Sequence, residues 1–263
     1  MPSRAPILAR VQPPDPLQIR DRQREIEQQF LHSAVGARVP NFTRIATSDL
    51  QQLFALYDQR FFQGLYGAAL AAHQIDLSFR LAPRFTNAGG KTTYTHQLRS
   101  GKIPVEIAIS TTLLFESFAR PDEQHLVAGC VCQTRVEALQ RVFEHELLHL
   151  LEFHDFGDSR CSAPRFRQLA QRWFGHRASD HRLLRPADRA RVSQGIQVGS
   201  QVTFDFEGRT LLGTVNRITK RATVLVPSPH GVRFSDGRTY AKYYVPLSQL
   251  RVGSGAKEAP RGN

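Results

Sequence analysis

The stretch that decides the fold is Val142-Phe143-Glu144-His145-Glu146-Leu147-Leu148-His149-Leu150-Leu151. Its two histidines, His145 and His149, stand four residues apart, so on a helix their imidazoles leave the same face one turn apart. Most other positions in the stretch are large and apolar, which predicts a helix that is buried on nearly every side. Two histidines and Glu146 cost free energy in such a core unless other groups satisfy them.

A metal ion bound to this helix would satisfy those polar groups. Both imidazoles can bind one Zn²⁺ at about 2.0–2.1 Å, and Glu146 can reach a water in the remaining position. Zinc lowers the pKa of such a water towards about 7, and a glutamate can take its proton during attack on a peptide carbonyl. The pattern therefore predicts Zn²⁺ held by His145 and His149, with Glu146 as general base. The alternative is two core histidines that are bonded to backbone groups.

A catalytic zinc needs a third protein ligand. In the metzincin signature, a glycine follows the second histidine by three residues and another histidine lies three residues further on. Here Glu152 and Asp155 occupy those positions, so the metzincin signature is absent.

The chain before and after this helix alternates between helical and strand-like patterns, which predicts the α+β class. A 3–4 spacing of apolar residues predicts an amphipathic helix after Thr47-Ser48. Alternation over residues 75–81, 92–98 and 104–109 predicts three strands. The long stretch 122–153 reads as helical, with a possible break near Gly129.

These features together resemble the SprT-like (Spartan) family of zinc metallopeptidases. The resemblance covers roughly residues 47–183 and is carried by Leu56-Tyr57, Phe61-Phe62, Leu77-Ser78-Phe79-Arg80, Thr86-Asn87-Ala88-Gly89-Gly90, Glu106-Ile107-Ala108-Ile109-Ser110 and the active-site stretch itself. It implies a compact zincin-like domain with a few strands beside the active-site helix. It also implies a zinc endopeptidase whose substrates are proteins associated with DNA or crosslinked to it.

The resemblance also suggests where the third ligand lies. In this family it is usually a histidine in the pattern H-G-x-x-[FW] after the active-site helix. Matching the aromatic residue to Phe166 puts Ser162 at the histidine position, directly after Cys161. Because a cysteine thiolate binds zinc well at about 2.3 Å and serine binds it poorly, Cys161 is the expected ligand, with Ser162 capping the next helix. His176 and His181 remain alternatives.

The C-terminal part changes in character near Pro186. Short alternating segments with the turn pairs Glu207-Gly208 and Asp236-Gly237 predict a small all-β barrel of the Src-homology-three type. The expected organisation is a proline-rich, partly disordered arm over residues 1–46, the metallopeptidase domain over 47–185, the barrel over 186–252 and a disordered tail over 253–263.

The charge of the chain favours a polyanionic partner. The formal net charge is +12, and residues 186–263 contain twelve basic and five acidic side chains. Such an excess is typical of proteins that bind DNA or RNA. The residues predicted to contact nucleic acid, single- or double-stranded, are Arg217, Lys220, Arg221, Tyr240, Lys242 and Tyr244. Alternatively, the tyrosines pack the barrel and the basic residues only keep its rim solvated.

The composition gives no sign of a membrane or secreted protein. No run approaches the roughly 20 apolar residues of a membrane helix, and the first residues lack a signal-peptide core. Three cysteines, Cys130, Cys132 and Cys161, do not suggest a disulfide framework. Cys130 and Cys132 fall in the predicted helical stretch, where they would point to different faces as core residues. The expected location is the cytoplasm.

Two functions from different classes fit these observations. The first is a zinc endopeptidase. The second is a non-catalytic nucleic-acid-binding protein whose zinc is structural and therefore closed by four protein ligands. A fourth ligand from His154, His176 or His181 would favour the second function, whereas Glu146 favours the first, because a structural site has no use for a base.

Overall fold

The chain divides into two compact units, Met1–Leu183 and Leu184–Asn263. The computed structural model describes residues 6–85, 88–95, 100–118, 125–179, 183, 190, 194–219 and 221–252. The class is mixed α+β, as predicted. Among the described residues, no helix is both long and apolar enough to cross a membrane.

Helices surround a small sheet in the N-terminal unit. The helices are α1 (Pro16–Ser33), α2 (Thr47–Phe62), α3 (Leu65–Ala72), α4 (Thr111–Glu116), α5 (Arg135–Phe156) and α6 (Pro164–Phe174). The strands are β1 (Ile75–Leu81), β2 (Gly90–Tyr94), β3 (Ile103–Ile109), β4 (His125–Val127) and β5 (Cys130–Cys132).

The three-stranded sheet has the order β1-β3-β2. Strands β1 and β3 run parallel, with Ile75 opposite Ile103, and β2 runs antiparallel to β3, with Gly90 opposite Ile109. Within the described chain β2 pairs with β3 alone, so it forms an edge of the sheet. This edge lies beside α5, which carries the two histidines.

Helix α5 forms the centre of the core, as its apolar sequence predicts. The Thr134 hydroxyl accepts from the Glu137 amide and begins the helix, and Gly157 ends it in the left-handed region at φ 81°. Aromatic side chains from α2 and α6 pack in the same core; Phe62 stacks on Trp173 with ring centroids 5.0 Å apart. The predicted burial of this helix is confirmed.

The expected N-terminal arm is instead part of the core. Asp15 caps α1, and the helix buries Ile26 and Phe30 completely. Upstream, the Asp155 carboxylate accepts the backbone amides of Ile7 and Leu8, each at 2.9 Å. The prediction of a separate arm over residues 1–46 is therefore wrong for the described residues from 6 onward. Burying the apolar side of α1 against the core lowers the free energy of the folded chain, because it removes apolar surface from water.

The predicted long helix over 122–153 is also wrong at its beginning. Strands β4 and β5 form a hairpin whose turn has positive φ at Ala128 (53°) and Gly129 (71°). A Cβ at Gly129 would lie 2.8 Å from the Ala178 amide nitrogen, so the turn requires glycine. Cys130 and Cys132 therefore lie on a strand, where residues two apart share one face.

Arg135 joins the start of α5 to two distant segments. The residue is 5% exposed, and its guanidinium donates to the carbonyls of Leu114, Phe115 and Ser117. It also donates to the carbonyls of Asn41 and Phe42. A buried cation is tolerated because these acceptors replace its water.

The C-terminal unit is a five-stranded antiparallel sheet with the order β10-β6-β7-β8-β9. Its strands are β6 (Gln201–Phe206), β7 (Arg209–Ile218), β8 (Arg221–Arg233), β9 (Thr239–Pro246) and β10 (Arg251–Val252). The predicted turn at Glu207-Gly208 joins β6 to β7. Val202, Phe204 and Val224 lie in its core.

The predicted closed barrel is not what forms. Strands β9 and β10 are the two ends of the hydrogen-bonded order and do not pair with each other. A 3-10 turn, Leu247–Gln249, separates them. Strand β10 has only two residues, and both pair with β6, so β10 does not close the sheet against β9.

Candidate metal centre and active site

The structure brings His145, His149 and Cys161 together. Their ligand atoms all lie within 4.8 Å of one another. The two histidines come from successive turns of α5, and their Nε2 atoms are 3.1 Å apart. Cys161 comes from the loop that begins where Gly157 turns the chain out of the helix. The predicted cluster is thus present in space as well as in sequence.

These three side chains fit a zinc ion. A tetrahedral zinc with bonds of about 2.0–2.3 Å holds its ligand atoms about 3.3–3.7 Å apart. The two histidine nitrogens, 3.1 Å apart, are slightly closer than that, and the cluster as a whole extends to 4.8 Å, so small movements of the side chains would bring all three ligand atoms to the required spacing. Imidazole and thiolate are the ligand types that zinc selects.

The hydrogen bonds of His149 determine which ring nitrogen carries its proton. Its Nδ1 lies 2.7 Å from the Ser159 hydroxyl, and this hydroxyl lies 2.6 Å from Oε2 of Glu152. Because a carboxylate only accepts, Ser159 donates to Glu152 and accepts from Nδ1–H of His149. The lone pair on Nε2 of His149 is then available to a metal.

Phe166 of α6 packs against both histidines. Its ring centroid lies 4.7 Å from that of His145 and 4.6 Å from that of His149. The aromatic residue used to align the chain with the family pattern therefore lies at the site, where it restricts both imidazoles.

Glu146 is 1% exposed and is held by strand β2. The Thr92 hydroxyl donates to Oε2 of Glu146 at 2.8 Å and contacts its backbone oxygen at 3.0 Å. The Thr92 amide also donates to the carboxylate. Burial raises the pKa of Glu146 to about 8, although the Thr92 hydrogen bonds lower it. The carboxylate is therefore in a setting that strengthens it as a proton acceptor.

A cleft of about 350 Å³ opens beside these groups. It is lined by Gly90, Lys91, Thr92, Thr93, Tyr94, Glu146, His149 and Ser159. Gly90 is required there, because a Cβ would lie 2.8 Å from Oε1 of Glu146 and 2.9 Å from a Val142 methyl. Gly90 begins β2 and lets the strand approach α5 closely.

The edge of β2 that faces away from β3 pairs with no other strand of the described residues. The Ser110 amide donates to the Gly89 carbonyl, and the Thr95 amide donates to the Pro104 carbonyl. Backbone groups alternate along an antiparallel pair, so Thr92 and Tyr94 direct theirs away from β3. The Tyr94 ring, 36% exposed, stacks on Phe153 of α5 at 4.1 Å.

His176 is not part of this centre. It is buried, and its Nε2 lies 2.8 Å from Oε2 of Glu144. The same carboxylate accepts from Tyr57, Gln23 and Arg141. Glu144 directly precedes His145, so its side chain leaves α5 about 100° away from the metal side. The alternative that His176 is the third ligand is therefore wrong, and His181 lies outside the described residues.

His154 is also bonded elsewhere. Its Nδ1 lies 2.6 Å from Oδ1 of Asp155, and its Nε2 lies 3.1 Å from Nδ1 of His73. Within the described part of the chain, His145, His149 and Cys161 are the only group of three or more metal-binding side chains.

Four residues of the predicted nucleic-acid contact lie on one face of the C-terminal sheet. Thr223 pairs with Arg217 on one side and with Tyr244 on the other. Arg221 lies two residues before Thr223 and Lys242 two residues before Tyr244, so their side chains project from the same face of the sheet. We call Arg217, Arg221, Lys242 and Tyr244 the basic face. All four are exposed, and Tyr244 is 65% exposed.

The other two residues of that prediction differ from the basic face. Tyr240 shares the alternation, but its hydroxyl donates to Asp236 at 2.7 Å and its ring contacts Phe234. Tyr240 thus belongs to the hairpin that ends β8 and begins β9. Lys220 lies outside the described residues.

Sequence reasoning did not find Ser159, Glu152 or Thr92. For Glu152 a signal exists, because it follows His149 by three residues on the same side of a helix. For Ser159 and Thr92 no local pattern indicates a role.

Comparisons of this chain with protein-family models, with curated proteins and with solved structures find no match.

Proposed function

We propose that this chain is a zinc-dependent endopeptidase of the SprT-like type, with a zincin-like N-terminal unit, acting on proteins associated with DNA or crosslinked to it. One observation carries the proposal. His145, His149 and Cys161 converge beside the buried carboxylate of Glu146, at a cleft bounded by a strand edge.

Three protein ligands favour catalysis over a structural role. A structural zinc is closed by four protein ligands, whereas a catalytic zinc keeps a position open. Of the histidines considered as a fourth ligand, His154 and His176 are bonded elsewhere, and His181 lies outside the described residues. A zinc ion held by the three ligands supplies Lewis acidity, which polarises a carbonyl and lowers the pKa of water.

The residues around the ligands have separate tasks in hydrolysis. Glu146 accepts the proton of the attacking water and passes it to the amine that leaves. The Thr92 hydroxyl and amide hold that carboxylate against α5. His149 is oriented by Ser159, and Phe166 packs on both imidazoles.

The edge of β2 supports a peptide substrate in particular. An extended peptide can add to a free strand edge through its backbone groups, without regard to its sequence. Tyr94 and the carbonyl of Thr92 present such groups next to Glu146, whereas the Thr92 amide already donates to the Glu146 carboxylate. This mode of binding suits an enzyme that acts on many different proteins.

The charge of the C-terminal unit supports a nucleic-acid partner. The basic face combines three cations with an exposed tyrosine ring. Cations that contact phosphates together with a ring that stacks on bases suit single-stranded nucleic acid. In the proposed protein this face supplies the location and the metal centre supplies the chemistry.

Protein purified without chelators is expected to contain about one zinc per chain, because three ligands of zinc-preferring type converge. Elemental analysis measures this content directly. Protein that contains no zinc and takes none up afterwards would contradict the proposal.

The basic face predicts strongly salt-dependent binding of single-stranded DNA by the full chain. Each phosphate that is neutralised adds about 0.7 to the slope of log affinity against log salt. Changing Arg217, Arg221 and Lys242 together to glutamine should therefore lower that slope by about 2. The matched control changes Arg209, Arg233 and Arg238, which removes the same charge. Equal slopes for the two triple variants would reject the face as the binding surface.

A further inference from the structure

We infer that Ser159 and Glu152 are positioning residues of the metal centre, which hold His149 in its metal-binding tautomer and fix the loop that carries Cys161. The inference rests on the proposed function, because it concerns ligands of the proposed zinc. It names two residues that the motif itself does not contain.

The first part is a chain of two hydrogen bonds that ends in a buried carboxylate. Nδ1–H of His149 donates to the Ser159 hydroxyl over 2.7 Å, and this hydroxyl donates to Glu152 over 2.6 Å. Glu152 is 0% exposed, so water cannot replace a hydrogen bond that its carboxylate loses. Removing the hydroxyl breaks the chain and leaves both neighbours without this partner.

The second part concerns the other oxygen of Glu152. Oε1 accepts from Nε of Arg165 at 2.7 Å, and Arg165 also donates to the carbonyl and carboxylate of Asp158. The exposed ion pair between Arg165 and Asp158 contributes little stability by itself. The ion pair between Arg165 and Glu152 is shielded from water on the Glu152 side. Arg165 is thereby held to α5.

These contacts lie on both sides of the proposed third ligand, Cys161, along the chain. Ser159 lies two residues before Cys161, and Arg165 lies four residues after it. Both are bonded to Glu152, so one buried carboxylate fixes the loop on each side of the cysteine. A single group therefore orients His149 and places Cys161.

Zinc affinity measured by chelator competition on the full chain tests the inference. Ser159→Ala should lower the affinity about 10–100-fold, which is the usual effect of removing a partner of a metal ligand. Ser159→Thr keeps the hydroxyl and should restore most of the affinity. Ser162→Ala is the matched control and should leave the affinity unchanged, because Ser162 is exposed. The cap predicted for it does not form, since α6 is capped at Ala163 without a side-chain hydrogen bond.

The melting temperature of the zinc-free proteins separates positioning from general stability. We expect it to fall only slightly in Ser159→Ala, because Glu152 loses one hydrogen bond but keeps the one from Arg165 to its other oxygen. Equal zinc affinity for these two proteins would overturn the inference, and so would a loss of affinity matched by a loss of zinc-free stability. If the wild type bound no zinc, the proposed function would fail instead.

Discussion

Glu146→Gln is expected to retain zinc and the fold while proteolysis falls about 10²–10⁴-fold, the usual contribution of a general base. Glutamine keeps the size of the side chain but cannot take a proton from water. Thr92 still has an oxygen to bond, because the amide carbonyl replaces one carboxylate oxygen. The structure around the site should therefore remain, and the loss should be chemical.

Self-cleavage is the most direct measure of this effect, because it needs no known substrate. The wild type and Glu146→Gln are compared with and without DNA, at equal zinc content. Glu207→Gln removes the same charge from an exposed turn of the C-terminal unit and should cleave like the wild type. Equal cleavage by the wild type and Glu146→Gln would mean that Glu146 is not the base. The structural-zinc alternative instead predicts no cleavage by any of them.

Cys161→Ala should lower zinc affinity by more than about 100-fold. Removing a residue that hydrogen-bonds a metal ligand already lowers the affinity about 10–100-fold, and the loss of a direct ligand must lower it further. The thiol of Cys161 lies within 4.8 Å of both histidine ligand atoms, and alanine offers no replacement. Zinc titration against a chelator measures the change.

Cys130→Ala provides the control for thiol chemistry in general. Cys130 lies on β5, where its thiol contacts the carbonyls of Ala128 and Gly175, and burial raises the pKa of this thiol. Its replacement should leave zinc affinity unchanged. If Cys161→Ala also left it unchanged, Cys161 would not be the third ligand, and His181 would become the next residue to test.

Helix α5 and the placement of its two histidines could be predicted from local sequence. The spacing of His145 and His149 places both imidazoles on one side of a helix, and the apolar residues between them require burial. Both properties depend on residues within a few positions of each other. For the same reason, alternation put Lys242 and Tyr244 on one side of strand β9.

Local patterns did less well where a short segment could adopt either periodicity. Residues 125–132 read as part of a long helix, but they form a hairpin that places Cys130 and Cys132 on one face. The positive φ angles of Ala128 and Gly129 are those of a turn and not of a helix. The backbone of Ala178 lies so close to Gly129 that only glycine fits at position 129. The barrel expectation failed similarly, since strand pairing at sheet edges is not a local property.

Local sequence was therefore enough to predict the buried helix with its two histidines, the mixed class and the exposed direction of several charged side chains, because periodicity and spacing act over a few residues. The groups that surround that helix could be identified only from the tertiary structure. Thr92 reaches Glu146 from 54 positions away, and Asp155 holds the Ile7 amide across 148. The contact of His176 with Glu144, which places His176 away from the candidate metal centre, likewise appears only in the folded chain. Such contacts depend on how distant segments pack, and no pattern along the chain records that packing.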